Sequence, residues 1–126
     1  VDLRAVAERM RVLRRGVASA WREGLARVGS LGLPPESGSS EPAFLRFPVL
    51  APSRQHREAA VAALAGAGFQ YVRSYPEPLG GVPAFAARRV ERARTPGADE
   101  LAARVVALPC HAGVGGADIE RAVRVL

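Results

Sequence analysis

Residues 43–75 read AFLRFPVLAPSRQHREAAVAALAGAGFQYVRSY. Residues 43–51 of this stretch are apolar enough for a buried strand, and Pro48 restricts that strand to a sheet edge or a bulge. Ser53 is a helix cap, and the helix it opens runs from about residue 54 to 65 with Val61 and Leu64 facing inward. Gly66 and Gly68 stop it. Residues 69–75 then alternate as a second strand, with Phe69, Tyr71, Arg73 and Tyr75 on one face. Strand, helix and strand in such quick succession predict an α/β domain.

Upstream, residues 29–42 (GSLGLPPESGSSEP) have the composition of a linker or surface loop. Before them, Leu3, Val6, Met10, Leu13, Val17, Trp21, Leu25 and Val28 recur at an average spacing near 3.6, which predicts one long amphipathic helix over residues 1–28. Gly16 and Gly24 each cost it about 1 kcal/mol relative to alanine, so packing must hold it. Its simplest role is to face a core. A basic membrane-surface helix is the sharper alternative.

Downstream, residues 76–83 (PEPLGGVP) cannot be regular structure and form an ordered, turning loop. A short basic helix is expected over residues 84–94, broken by Thr95-Pro96-Gly97, with another helix at about 98–104. Residues 105–108 form a third strand, residues 113–116 a turn, and residues 117–126 a last helix with Ile119, Val123 and Leu126 inward. The predicted fold is a two-layer α/β (α+β) domain of about three mainly antiparallel strands covered by helices. Its organisation is a connector helix at 1–28, a Pro/Gly/Ser loop at 29–42 and a small α/β domain at 43–126, without internal repeats.

Composition narrows the chemistry. The chain has 126 residues and a formal net charge of +6, and all 18 basic residues are arginine. Without lysine there is no side-chain amine for a Schiff base and no phosphate-loop lysine. Alanine supplies 24 of the 126 positions, a bias that matches GC-rich coding, so the arginine excess needs no selection for phosphate binding. The single cysteine excludes an internal disulfide and fits a reducing compartment, with the cytoplasm as the expected location. No apolar run approaches the roughly 18–20 residues of a membrane span, and no secretory leader is visible. The chain starts at Val1 rather than methionine, and the expectation is a processed product or a piece of something longer.

Cys110-His111 is the natural place to seek a nucleophile. Adjacent residues in an extended stretch point apart, however, and a catalytic pair is usually assembled from separate segments. One cysteine with His56 and His111 offers no metal-ligand spacing. Gly113-Val114-Gly115-Gly116 precedes a helix start that could hold an anion, but it reads as a turn with Asp118 near the helix's positive end. Arg88, Arg89, Arg92 and Arg94 are the densest basic run. A solvated face is its default role, since the aromatic interleaving of a single-strand binder is missing. The most informative segment is the loop carrying Tyr75, Pro76, Glu77, Pro78, Leu79 and Gly80, where rigid prolines beside glycines build the kind of element that lines a site.

From Phe44 onward the order of motifs resembles the C-terminal small domain of the DegT/DnrJ/StrS aminotransferases, fold-type I pyridoxal-phosphate enzymes that often act on nucleotide-linked keto sugars. Leu45-Arg46-Phe47-Pro48-Val49-Leu50 is similar to the family's first strand in this domain. Gly68-Phe69 stands where the family has Gly-Ile. Tyr75-Pro76-x-Pro78-Leu79 matches its Tyr-Pro-x-Pro-Leu loop, with Pro83-Ala84-Phe85 following. Leu108-Pro109-Cys110-His111 and Asp118-Ile119-Glu120-Arg121 complete the series, and the helix at 1–28 looks like the connector from the large domain.

The resemblance implies a homodimeric, lysine-dependent enzyme whose cofactor, pyridoxal phosphate, is held by a large domain that this chain does not contain. It also implies that Tyr75, Pro76, Glu77, Pro78, Leu79 and Gly80 form a substrate-facing loop, and that the chain alone has no catalytic residue and no activity. Gly80 stands where family members usually carry a histidine. Two other classes remain open from the residues: a free-standing basic module binding an anionic partner such as RNA, and a scaffold that docks its apolar stripe on another chain.

Overall fold

The computed structural model describes residues 1–36, 38, 40, 42–86 and 95–126. Helix α1 spans Leu3–Leu25, three residues short of the expected end. Asp2 caps it, its Oδ1 accepting the N–H groups of Arg4 at 2.9 Å and Ala5 at 3.3 Å. The predicted apolar stripe divides in two. Trp21 and Leu25 are buried in the core with Ala18, whereas Leu3 keeps 76% of its surface exposed and Met10 and Leu13 are half-buried.

The sheet is built from β1 (Arg46–Leu50) and β2 (Val105–Pro109), antiparallel, with Arg46 opposite Pro109 and Leu50 opposite Val105. Pro48 faces Ala107, and Ala107 sends its N–H the other way, to Val72 O at 2.8 Å. Proline therefore costs the ladder nothing, because its missing donor lies on the outer edge of β1. On that edge Leu50 and Gly32 exchange two backbone hydrogen bonds of 2.8 Å.

The second expected strand, residues 69–75, does not form as one. It lies along the other side of β2 and shares a single backbone bond with it, Ala107 N–H to Val72 O. Tyr71 takes φ +57°, a left-handed conformation that breaks strand alternation. Phe69, Tyr71, Arg73 and Tyr75 consequently do not share a face: Phe69 and Val72 are buried, while Tyr71, Arg73 and Tyr75 are exposed. The antiparallel arrangement and the helical cover agree with the sequence reading.

Helix α2 (Arg54–Gly66) begins as expected, Ser53 Oγ accepting the His56 N–H at 3.3 Å. It ends in a Schellman arrangement. Gly68 adopts φ +91° and donates to Ala65 O at 3.0 Å, and Phe69 N–H reaches Leu64 O at 2.9 Å. Leu64 and Phe69 both enter the core, so the stop signal also delivers an aromatic ring to it.

After the loop come α3 (Pro83–Ala86), α4 (Pro96–Arg104) and α5 (Gly116–Val125). The expected helix at 84–94 is seen only in its first turn, since residues 87–94 lie outside the described residues. Whether Thr95-Pro96-Gly97 ends the helix expected at 84–94 falls on residues outside those described, but the next helix starts two residues earlier than expected. Pro96 opens α4, at the first position where its fixed φ and missing N–H are tolerated. In α5 the N-cap is Gly115 rather than Gly116, and Ile119 and Ala122 are buried while Val123 and Leu126 pack at the edge. A Cβ added at Gly24 of α1 would stand 2.9 Å from Ile119 Cγ2 and 3.2 Å from Val123 Cγ2, so α1 and α5 touch backbone to side chain there. Around β2, whose residues 105–108 are all buried, Trp21, Leu25, Phe47, Val49, Leu64 and Phe69 close the core.

Candidate functional site

The loop at residues 75–80 is the segment that sequence reasoning placed at a site. Pro78 holds φ −63°, ψ 153° and leads into a 3-10 turn, Leu79–Gly81. Gly81 N–H donates to Pro78 O at 2.8 Å, Val82 N–H to Leu79 O at 3.1 Å and Phe85 N–H to Val82 O at 2.9 Å. These three bonds join the turn to α3 and make a self-supported unit. The Glu77 carboxylate folds over the turn, with its Oε2 2.8 Å from where a Gly81 Cβ would be. Tyr75, Pro76, Glu77, Leu79 and Gly80 are exposed and Pro78 is half-buried. Leu79 exposes 68% of its surface and Tyr75 63%, so the loop offers apolar and aromatic contact area, with one carboxylate and one phenol for hydrogen bonding.

The segment leading into the loop is fixed by ion pairs that sequence reasoning missed. Arg73 pairs with Glu58 Oε2, and Glu58 Oε1 lies 2.9 Å from Arg57 Nη2. Arg57 is 1% exposed. A signal was present: Arg57 stands two helical turns before Leu64, on the inward stripe of α2.

The Cys110-His111 pair is not brought together as a nucleophile and base. Cys110 is buried at 2% exposure, and burial pushes its thiol pKa up to about 11 from 9.0, although Arg14 and Arg46 oppose the shift. His111 is exposed, and its Nδ1 accepts the Gly113 N–H at 3.1 Å. A shift of two units leaves about 100-fold less thiolate near neutral pH. Labelling of native Cys110 by a disulfide reagent at pH 8 is therefore expected to be at least about 100-fold slower than in urea. Equal rates would contradict the burial.

His111 also borders a cleft of about 380 Å³ with Arg46, Phe69, Tyr71, Asp118 and Arg121, at the Arg46/Pro109 end of the sheet. Its arginines are engaged in structure. Arg46 Nη1 donates to Tyr71 O at 3.3 Å, and Arg121 donates to Ala67 O at 2.9 Å and to Asp118 at 2.8 Å. The Gly115 N–H and then Arg121 hold the Asp118 carboxyl below its ordinary range. The glycine turn at 113–116 thus serves the start of α5. His56 Nδ1 is paired locally with Ser53 Oγ at 2.8 Å. Among the described residues no three His, Cys, Asp or Glu side chains group as metal ligands. Arg88, Arg89, Arg92 and Arg94 lie outside the described residues.

A long helix lies half in and half out of a two-layer α/β body, and a proline-built loop follows the segment beside β2. Residues 3–126 match the model of the DegT/DnrJ/EryC1/StrS aminotransferase family. The chain belongs to that family.

Solved structures repeat the fold. DesV from S. venezuelae, in complex with a ketimine intermediate, is 23% identical with a TM-score of 0.78, covering 91% of this chain and 30% of its own. A DegT DnrJ EryC1 StrS aminotransferase from Brucella abortus is 22% identical with a TM-score of 0.74, covering 90% and 29%. The aminotransferase TlmJ from Streptoalloteichus hindustanus is 24% identical with a TM-score of 0.71, covering 91% and 30%. The chain thus spans under a third of the length of these proteins. No curated protein sequence matches it.

Proposed function

We propose that this chain is the small domain of a pyridoxal-phosphate-dependent aminotransferase acting on a nucleotide-linked keto sugar, and that residues 75–80 form part of its substrate-side wall. The observation that carries this reading is the family match over residues 3–126 in a chain spanning about 30% of its structural neighbours. A large domain, in cis or in trans, would supply the cofactor site, and a homodimer in the cytoplasm is the expected setting. The exposed end of α1, with Leu3, Met10 and Leu13, suits a connector that packs on that domain.

The residues of this chain do not fit the cofactor itself. All 18 basic side chains are arginines, so no side-chain amine can form an imine with the aldehyde. The contribution left to the chain is contact and exclusion: Tyr75 and Leu79 offer apolar area that displaces water, and Glu77 offers a hydrogen-bond acceptor to a hydroxyl or amino group of a sugar. The purified chain incubated with pyridoxal phosphate and dialysed is expected to show no imine absorption band. A retained band, or transaminase turnover by the chain alone, would overturn the assignment.

A further inference from the structure

We propose that Arg57 and Glu58 are positioning residues for the loop at residues 75–80, acting on it through Arg73. The proposal rests on the loop's reading as a substrate-side wall, and it explains a feature that stability alone does not. Arg57 is the fourth residue of α2, where the helix's positive end disfavours a cation. It is also 1% exposed, and its Nε and Nη1 have no hydrogen-bond partner. A buried guanidinium with unpaired N–H groups is costly, and an apolar side chain of similar volume would ordinarily be better tolerated.

What Arg57 does hold is Glu58, by the 2.9 Å contact from Nη2 to Oε1. Glu58 turns its other oxygen to Arg73, two residues ahead of Tyr75. The anchors on either side are unequal. Val72 is buried and bonded to Ala107, whereas among the described residues the backbone bonds of 75–85 run within the turn and α3. Arg73 therefore ties the segment that enters the loop back to α2. With one carboxylate oxygen held from a buried group, Glu58 is confined in rotamer, and a confined carboxylate fixes the guanidinium that it pairs with. The chain of charges transfers the rigidity of the core to a loop that lacks a ladder of its own.

The test uses nitrogen-15 relaxation on the full 126-residue chain. In Glu58→Gln and Arg73→Gln the backbone order parameters of Leu79, Gly80 and Gly81 are expected to fall from about 0.85 to below about 0.6, with those of β1 and α2 unchanged. Arg73→Lys, which keeps the cation, is expected to stay near the parent chain. Arg57→Met is expected to loosen the same three residues while its urea midpoint holds or rises. Unchanged loop order in Glu58→Gln and Arg73→Gln overturns the proposal, and so does a loss spread evenly through β1 and α2, which would mark a merely structural role. Neither outcome touches the cofactor test, so failure here and failure of the functional assignment are separable.

Discussion

Trp21→Ala is expected to lower the thermal midpoint of the chain by about 10–25 °C, or to leave it unfolded at room temperature. Trp21 is fully buried, its ring meets Phe69 edge-on at 6.2 Å between centroids, and its Nε1–H donates to Pro109 O at 2.8 Å. One side chain thus joins α1 to the end of β2 and to the segment beside it. Truncating a buried aromatic of this size costs about 3–5 kcal/mol, against a total of about 5–15 for a domain. Trp21→Phe keeps most of the apolar contact but orphans the Pro109 carbonyl, so about 1–3 kcal/mol is expected. Circular dichroism melting of the three chains checks the order. An alanine variant that melts within about 3 °C of the parent would show that α1 is not docked as described.

The second large effect is a difference of sign between two glycines on one helix. Gly16 has nothing within 4 Å of an added Cβ, so Gly16→Ala is expected to stabilise by about 0.5–1 kcal/mol through helix propensity. Gly24→Leu gains the same propensity but drives its side chain into Ile119 and Val123, and overpacking of this kind costs about 1–3 kcal/mol. Urea unfolding monitored at Trp21 gives both values. Stabilisation by both substitutions would mean that α1 and α5 lie farther apart than the 2.9 Å approach implies.

What was legible in the sequence was what neighbours along the chain decide. The Ser53 cap, the Gly68 stop and the stripe of α1 are set within a few residues, and each was readable as physics. Residues 69–75 alternate like a strand, but Tyr71 takes a positive φ that the alternation does not signal. Helix α4 starts at Pro96 and not at about residue 98, because proline is at home at the first helical position. At the candidate site, the exposed proline loop was visible by composition. Arg57 is hard to find from sequence because arginine is ordinarily exposed, and its i, i+7 relation to Leu64 is its one local mark of burial. The pairing of Glu58 with Arg73 depends on how α2 folds back beside its following segment, which no local pattern records.

The position of β2 late in the chain governs how the domain assembles. β1 ends at Leu50 and its partner begins at Val105, so no rung of the sheet can form until the long intervening segment has closed. Turns of α1 and α2 can nucleate from local contacts within microseconds, far ahead of that closure, although α1 with its two glycines is held only once it packs. The expected order of refolding is therefore helical turns first and the sheet last. The indole of Trp21, whose hydrogen bond to Pro109 spans 88 positions, reports the final event and not the first.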